Sequence, residues 1–248
     1  SFISTSTEFV RNAGNITLDT QGLSLTEGSQ LTSNSGPQLL PEFSSGDAGS
    51  VKIQNQGSPA QSVLIDGANS GIFTNTEGTG AGGNITLDAN TVTLQNGGTI
   101  SAKTSGPITI AVGGSITVNA TDKVIMSDGA VITANSTGPG NAGNIIIDAG
   151  QNFVATNGTV TTQTNQASGG DIKITTTPNG TVELTNSTIS ASVGDGPGGG
   201  GNISIDPQYV ILQNSHILAQ AAQGQGGTIT ITTNLFLPDA NSSVKADS

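Results

Sequence analysis

Residues 80–106 read GAGGNITLDANTVTLQNGGTISAKTSG. Three short runs stand out in this stretch, around Ile85 and Leu87, around Val92 and Leu94, and around Ile100. In each run apolar and polar residues alternate, so one face is buried and the other is wet, which is the period of a β-strand. Gly, Asn and Ser fill the gaps between the runs and mark turns. One such unit has too little apolar face to fold alone. It needs copies of itself stacked above and below.

The copies are present. GNITLD occurs at 14–19 and again at 83–88, GNIIID at 143–148 and GNISID at 201–206. Weaker versions begin at Gly49, Gly114, Gly170 and Gly227. The units therefore start near 15, 50, 84, 115, 144, 171, 202 and 228, at spacings between 35 and 26 residues. A second run follows in each, for instance at 23–25, 63–65, 124–126 and 210–212. The third run is centred on Leu31, Ile72, Ile100, Ile132, Val160, Ile189, Ile217 and Val244. Strands are expected near 15–19, 23–25 and 30–33 and at the same phase of later units, with Ile16, Leu18, Ile85, Leu87, Ile145, Ile147, Ile203 and Ile205 pointing inward. About eight coils of three short strands make an all-β solenoid, a right-handed parallel β-helix, as one array over 1–248. At about 4.8 Å per coil its length is roughly 38 Å. No amphipathic helical stretch offers the crossover that a doubly wound α/β sheet needs, and 36 Gly and 9 Pro oppose helix throughout.

Composition sets limits on function. Ile, Leu, Val and Phe make about 23% of the chain, above the roughly 20% below which chains remain unfolded. The net charge is −11 with 9% charged residues, which repels phosphate backbones and anionic lipid, so no nucleic acid and no membrane insertion are expected. There is no Cys, as suits a chain exported unfolded. No apolar run is long enough to span a bilayer. No charged-then-apolar leader opens the sequence, which is read as a piece of a longer chain.

The residue closing the first run reads Asp19, Gln54, Asp88, Asn119, Asp148, Thr175, Asp206, Thr232. Aspartate takes every second coil, which roughly doubles the ~5 Å separation at which stacked carboxylates would repel. Asn15, Asn84, Asn144 and Asn202 alternate in the same phase, and each is expected to satisfy corner backbone with its amide. These eight residues form an expected structural ladder with a two-coil unit of about sixty residues.

Catalytic chemistry is sparse. A polysaccharide lyase or hydrolase is the enzymatic alternative, and it needs clustered carboxylates with basic partners. The only Arg is Arg11. Asp66, Asp122 and Asp128 read as solvated turn residues without an evident basic partner. His216, the one histidine, reads as an outward strand residue. No Cys or His spacing suits a metal, and no triad can be built. Turns such as Asp128-Gly129 and Asp195-Gly196 offer oxygens of the kind calcium takes, but the calcium-binding nonapeptide is absent. No cofactor is expected. GDGPGGGGN at 194–202 lacks the Lys-Ser/Thr of a phosphate loop and reads as a flexible corner. Longer loops at 35–47, 55–61 and 103–112 carry Leu39, Leu40, Phe43, Ile108 and Ile110. They are either a binding loop, with Leu39, Leu40 and Phe43 as its apolar contacts, or a local cap or added strand over the core. The segment 108–112 favours the added strand.

The stretch 80–106, together with VILQNSHILAQAAQGQGGTITI at 210–231, resembles the repeats of haemagglutination-type exoproteins secreted by the two-partner route. Filamentous-haemagglutinin-like adhesins and large surface proteins of cyanobacteria and other Gram-negative bacteria are of this kind. The resemblance spans essentially the whole chain. It implies a secreted β-helical stalk at the cell surface, exported through an outer-membrane transporter, that serves as a structural or adhesive rod toward a cell surface or glycan and is not an enzyme. Residues 1–7 and 242–248 both read as third runs without caps. The rod is therefore expected to continue axially, in its own longer chain or by self-association into a filament.

Overall fold

The computed structural model describes residues 1–7, 11–36, 46–106 and 111–248. Among them the chain is all β, with parallel strands throughout and no helix, in a solenoid of about eight turns. No helix among the described residues is long and apolar enough to cross a membrane. The first coil shows the three runs at Ile16–Asp19, Gly22–Thr26 and Gln30–Thr32. Later coils repeat them in register, so Ile16 lies beside Val51, Val51 beside Ile85, and Ile85 beside Ile116.

The three runs do not make three separate sheets. Third runs form a 9-stranded sheet of their own, while first and second runs share one 14-stranded sheet that bends around the core. In two coils the first and second runs fuse into the single strands Ile85–Gln95 and Ile116–Ser127. Their corners, Ala89-Asn90 and Ala120-Thr121, carry no Gly or Pro, and one bulge between Ala120 and Lys123 absorbs the difference in length. The next coil breaks at Gly150, which sits at φ 59 with its absent Cβ aimed at the Thr121 carbonyl. A fourth row, one residue wide, runs Thr7, Ser35, Thr76, Thr104, Ser136, Thr164, Val193, Ala221.

The core is a set of like-on-like columns. Leu31, Ile72, Ile100, Ile132, Val160, Ile189 and Ile217 stack at 1% exposure or less. Volume is balanced between columns: Phe153 stands among valines at 124 and 182, and the same coil places Ala155 between Met126 and Leu184. Of the eight residues expected inside, seven are buried; Leu18 is half-buried because only one neighbouring coil covers it. The inward residues at the far end, Phe236 and Val244, are 37% and 40% exposed for the same reason.

The glycine that opens each GN motif has a steric cause. A Cβ on Gly114 would lie 2.0 Å from the Gly83 carbonyl oxygen, and one on Gly170 would lie 1.9 Å from that of Gly143. The stretch 194–202 is not a free corner loop. Its backbone is tied to the preceding coil by Gly194 N–H to Thr164 O at 2.9 Å and Asp195 N–H to Asn165 O at 3.0 Å, and a Cβ on Gly196 would strike the Gln166 backbone.

Gly114→Ala is expected to cost about 1–3 kcal/mol, the range for an overpacked interior site, and to lower the denaturation midpoint. Gly28→Ala, with open space around its Cβ but φ at 78, is expected to cost about 1 kcal/mol from backbone strain alone. Urea unfolding of both variants separates the two causes.

Candidate functional site

The four asparagines at 15, 84, 144 and 202 reach across coils rather than within one. Each Oδ1 accepts the backbone N–H of the equivalent residue in the next coil: Ser50 at 2.8 Å, Ser115 at 3.0 Å, Asp171 at 2.9 Å and Thr228 at 3.0 Å. Asp171 continues the row by accepting the Asn202 N–H at 2.8 Å. Ser50 and Ser115 are too short for this bond, which is why the row alternates.

Sequence reading missed two further rows. At the corner after the third run, Asn34 accepts the Asn75 N–H at 2.8 Å, Asn75 that of Lys103 at 2.9 Å, and Asn135 that of Gln163 at 2.7 Å. Each asparagine lies three residues beyond a third-run centre, at Leu31, Ile72 and Ile132, and that offset was the available signal. At the turn before the third run, a hydroxyl row, buried at Ser187 and Ser215, links Gly158 N–H to Ser187 Oγ, Ser187 N–H to Ser215 Oγ and Ser215 N–H to Ser242 Oγ, all at 3.0 Å. Residues in the left-handed region hold the same turn in successive coils, among them Asn96, Asp128, Asn157, Asn186 and Asn214.

In the aspartate row, the two amide members donate to the acids. Gln54 Nε2 lies 2.9 Å from Asp19 Oδ1, and Asn119 Nδ2 lies 2.7 Å from Asp88 Oδ1. This row also borders open space. Asp88, Asn119 and Asp148 line a groove of about 460 Å³ with Thr121 and Thr177 and with Gly57, Ser58 and Pro59 of an earlier coil. A second groove of about 340 Å³ lies beyond, lined by Asp206, Pro207, Gln208 and residues 176–178 and 232–234. The two occupy the same corner of successive coils, where first runs pass into second runs. In the first groove the tight corner at Ala120-Thr121 lies between the longer turns that bring in residues 57–59 and Thr177. The lining mixes carboxylate, amide and hydroxyl groups with Ala120, glycines and prolines, so it can exchange hydrogen bonds with a hydroxyl-rich ligand and pack against its apolar ring faces.

The other candidates are scattered. Asp122 does have a basic neighbour, Lys123, with Nζ 3.8 Å from Oδ2. Both side chains are more than two-fifths exposed, so the pair contributes little. Asp66 accepts from Asn96 Nδ2 at 2.8 Å and Gln95 Nε2 at 2.9 Å. Asp128 occupies its left-handed turn. His216 is half-buried, with Nδ1 2.9 Å from Ser243 Oγ, its partner in the neighbouring strand. This contact is a rung between coils. Among the described residues no group of three His, Cys, Asp or Glu is placed to hold a metal ion. Leu39, Leu40 and Phe43, and likewise Ile108 and Ile110, lie outside the described residues. With this geometry in view, no family model, no curated protein and no solved structure matches the chain.

The hydrogen bonds from Asn96 and then Gln95 hold the Asp66 carboxyl below the ordinary aspartate pKa, against a smaller opposing effect of desolvation. A depressed folded pKa contributes stability that is present above the unfolded value and lost as pH falls through the folded one. An NMR pH titration is expected to show Asp66 titrating below the ordinary range, and Asn96→Ala is expected to raise it.

Proposed function

We propose that this chain is a length of secreted structural rod in a bacterial cell-surface protein, and that it acts by presenting its surface for attachment rather than by turning over a substrate. One observation supports this reading most strongly. The polar residues that recur coil after coil, the asparagines at 15, 84, 144 and 202 and the serines at 187, 215 and 242, are spent on bonds between coils. Side chains arranged this way lengthen and stiffen a solenoid; they do not converge on a reacting atom. The lone histidine is a rung of the same kind.

The corner groove is where attachment fits best. Asp148 is exposed and borders it beside Asn119 and Thr121. With a net charge of −11, the rod repels uronate-rich polymers, so its partner is a neutral, hydroxyl-rich glycan held by hydrogen bonds to carboxylate and amide. In this reading an outer-membrane transporter serves the chain only during export.

The test is retention and turnover measured together. On immobilised neutral and acidic glycans, the protein is expected to be retained on neutral ones, with no reducing ends or unsaturated products released. Retention should survive moderate salt and fall about tenfold in Asp148→Ala, as expected for loss of one charged hydrogen bond. Release of cleaved product, abolished by changing one aspartate, would overturn the proposal in favour of a lyase or hydrolase.

A further inference from the structure

An asparagine followed by glycine is open to spontaneous loss of ammonia, because glycine puts no Cβ between the backbone nitrogen and the asparagine side chain. The chain holds three such pairs, Asn96-Gly97, Asn157-Gly158 and Asn179-Gly180. All three asparagines are exposed. What separates them is the nitrogen that would attack. Gly158 N–H is donated to Ser187 Oγ at 3.0 Å and Gly180 N–H to the Thr177 carbonyl at 2.8 Å, and both glycines are buried. Gly97 is only half-buried, and among the described residues its N–H has no hydrogen-bond partner.

The stacking explains the missing partner. In the first coil, Gly28 N–H faces the second coil, where Ser70 Oγ accepts it at 2.9 Å. Gly97 holds the same place two coils on, with φ 84 against 78 for Gly28. Third runs begin in register at Gly71, Thr99, Val131, Thr188 and His216. The residue just before them is Ser70 in the second coil, Ala130 in the fourth, and Ser187 and Ser215 further along. Ala130 is buried and has no hydroxyl, so the coil that faces Gly97 does not offer the acceptor that Gly28 finds.

We propose that Asn96 is a site of spontaneous deamidation, with water as the only other reactant. Gly97 N gives up its proton to solvent and bonds to Asn96 Cγ. The side-chain nitrogen takes a proton from water and leaves as ammonia. Water then opens the cyclic imide at one of its two carbonyls, giving aspartate, or isoaspartate with a backbone one carbon longer. Both products replace a neutral amide by a carboxylate. Asn96 Nδ2 donates to Asp66 Oδ1 at 2.8 Å in the preceding coil. The reaction ends this bond and sets the new carboxylate beside Asp66, with Asp128 at the same turn of the following coil. Stacked carboxylates repel, so the modification loosens the turn between the second and third runs of the third coil. The glycan groove lies at the other corner, and this proposal does not rest on it.

The test is peptide mapping by mass spectrometry of the folded chain aged at mildly alkaline pH, with isoaspartate scored at each site. Asn96 is expected to convert at least about tenfold faster than Asn157 or Asn179, whose bonded, buried glycine amides must open before they react. In urea the three sites should convert at similar rates, because the ordering belongs to the fold. Ala130→Ser supplies the hydroxyl that Ser70 gives to Gly28. It should slow Asn96 about tenfold, with the other two sites and the circular-dichroism spectrum unchanged. Asn157 or Asn179 converting as fast as Asn96 in the folded chain, the same ordering in urea, or no slowing in a folded Ala130→Ser variant would each overturn the proposal.

Discussion

Parallel hydrogen bonding between successive coils holds the backbone at about 4.8 Å from its own repeat, and everything else in this molecule answers to that distance. Each residue meets, one coil away, the residue that plays the same part. A choice of side chain is therefore a choice of a column. Isoleucine on isoleucine at 85, 116 and 145 fills a continuous core that a single coil could not provide. Glycine on glycine at 83 and 114 is imposed where the backbone carbonyl of one coil occupies the space a Cβ would need in the next.

Polar columns obey the same rule with different outcomes. An amide carries both donor and acceptor, so asparagine can stand in every coil or every second coil and still find a backbone N–H. A carboxylate only accepts, and a neighbour of its own kind repels it. The aspartates at 19 and 88 therefore alternate with Gln54 and Asn119, whose amides donate to them. Ionised groups are scarce because in-register stacking multiplies whatever charge it repeats. The groove follows from loop length: where Ala120-Thr121 turns tightly and the turns at 55–59 and 176–180 do not, the aspartate row is left facing open space.

Alternation at Ile85 and Leu87, and its recurrence at Ile145 and Ile203, made the parallel solenoid legible in the sequence, because inward residues repeat with a period of two inside runs that return in the same order in every coil, although coil length varies from 35 to 26 residues. The fusion of first and second runs over Ile85–Gln95 was not legible, since it depends on how sharply a corner without Gly or Pro bends. The Asn34, Asn75 and Asn135 row was hidden by insertions that make its spacing uneven, although its offset from the third-run centre is constant. The Lys123 beside Asp122 was adjacent in sequence and still missed, because in a strand neighbouring side chains point to opposite faces; the bulge at that corner brings them within 3.8 Å. The groove could not be read at all, because its walls come from turns separated by more than a hundred residues.

In-register stacking of equivalent residues is open to a direct test because the chain lacks cysteine. Thr86 and Thr117 are paired outward residues on adjacent coils, 31 residues apart in sequence. In the double variant Thr86→Cys and Thr117→Cys, the two Cα atoms lie about 4.8 Å apart, within the span of a disulfide. Mild oxidation at low protein concentration is expected to give a quantitative intramolecular disulfide, while Thr86→Cys paired with Val118→Cys, whose side chain points to the core, should not react. A free thiol pair at 86 and 117 in the folded protein, or equal reaction of the two double variants, would contradict the account.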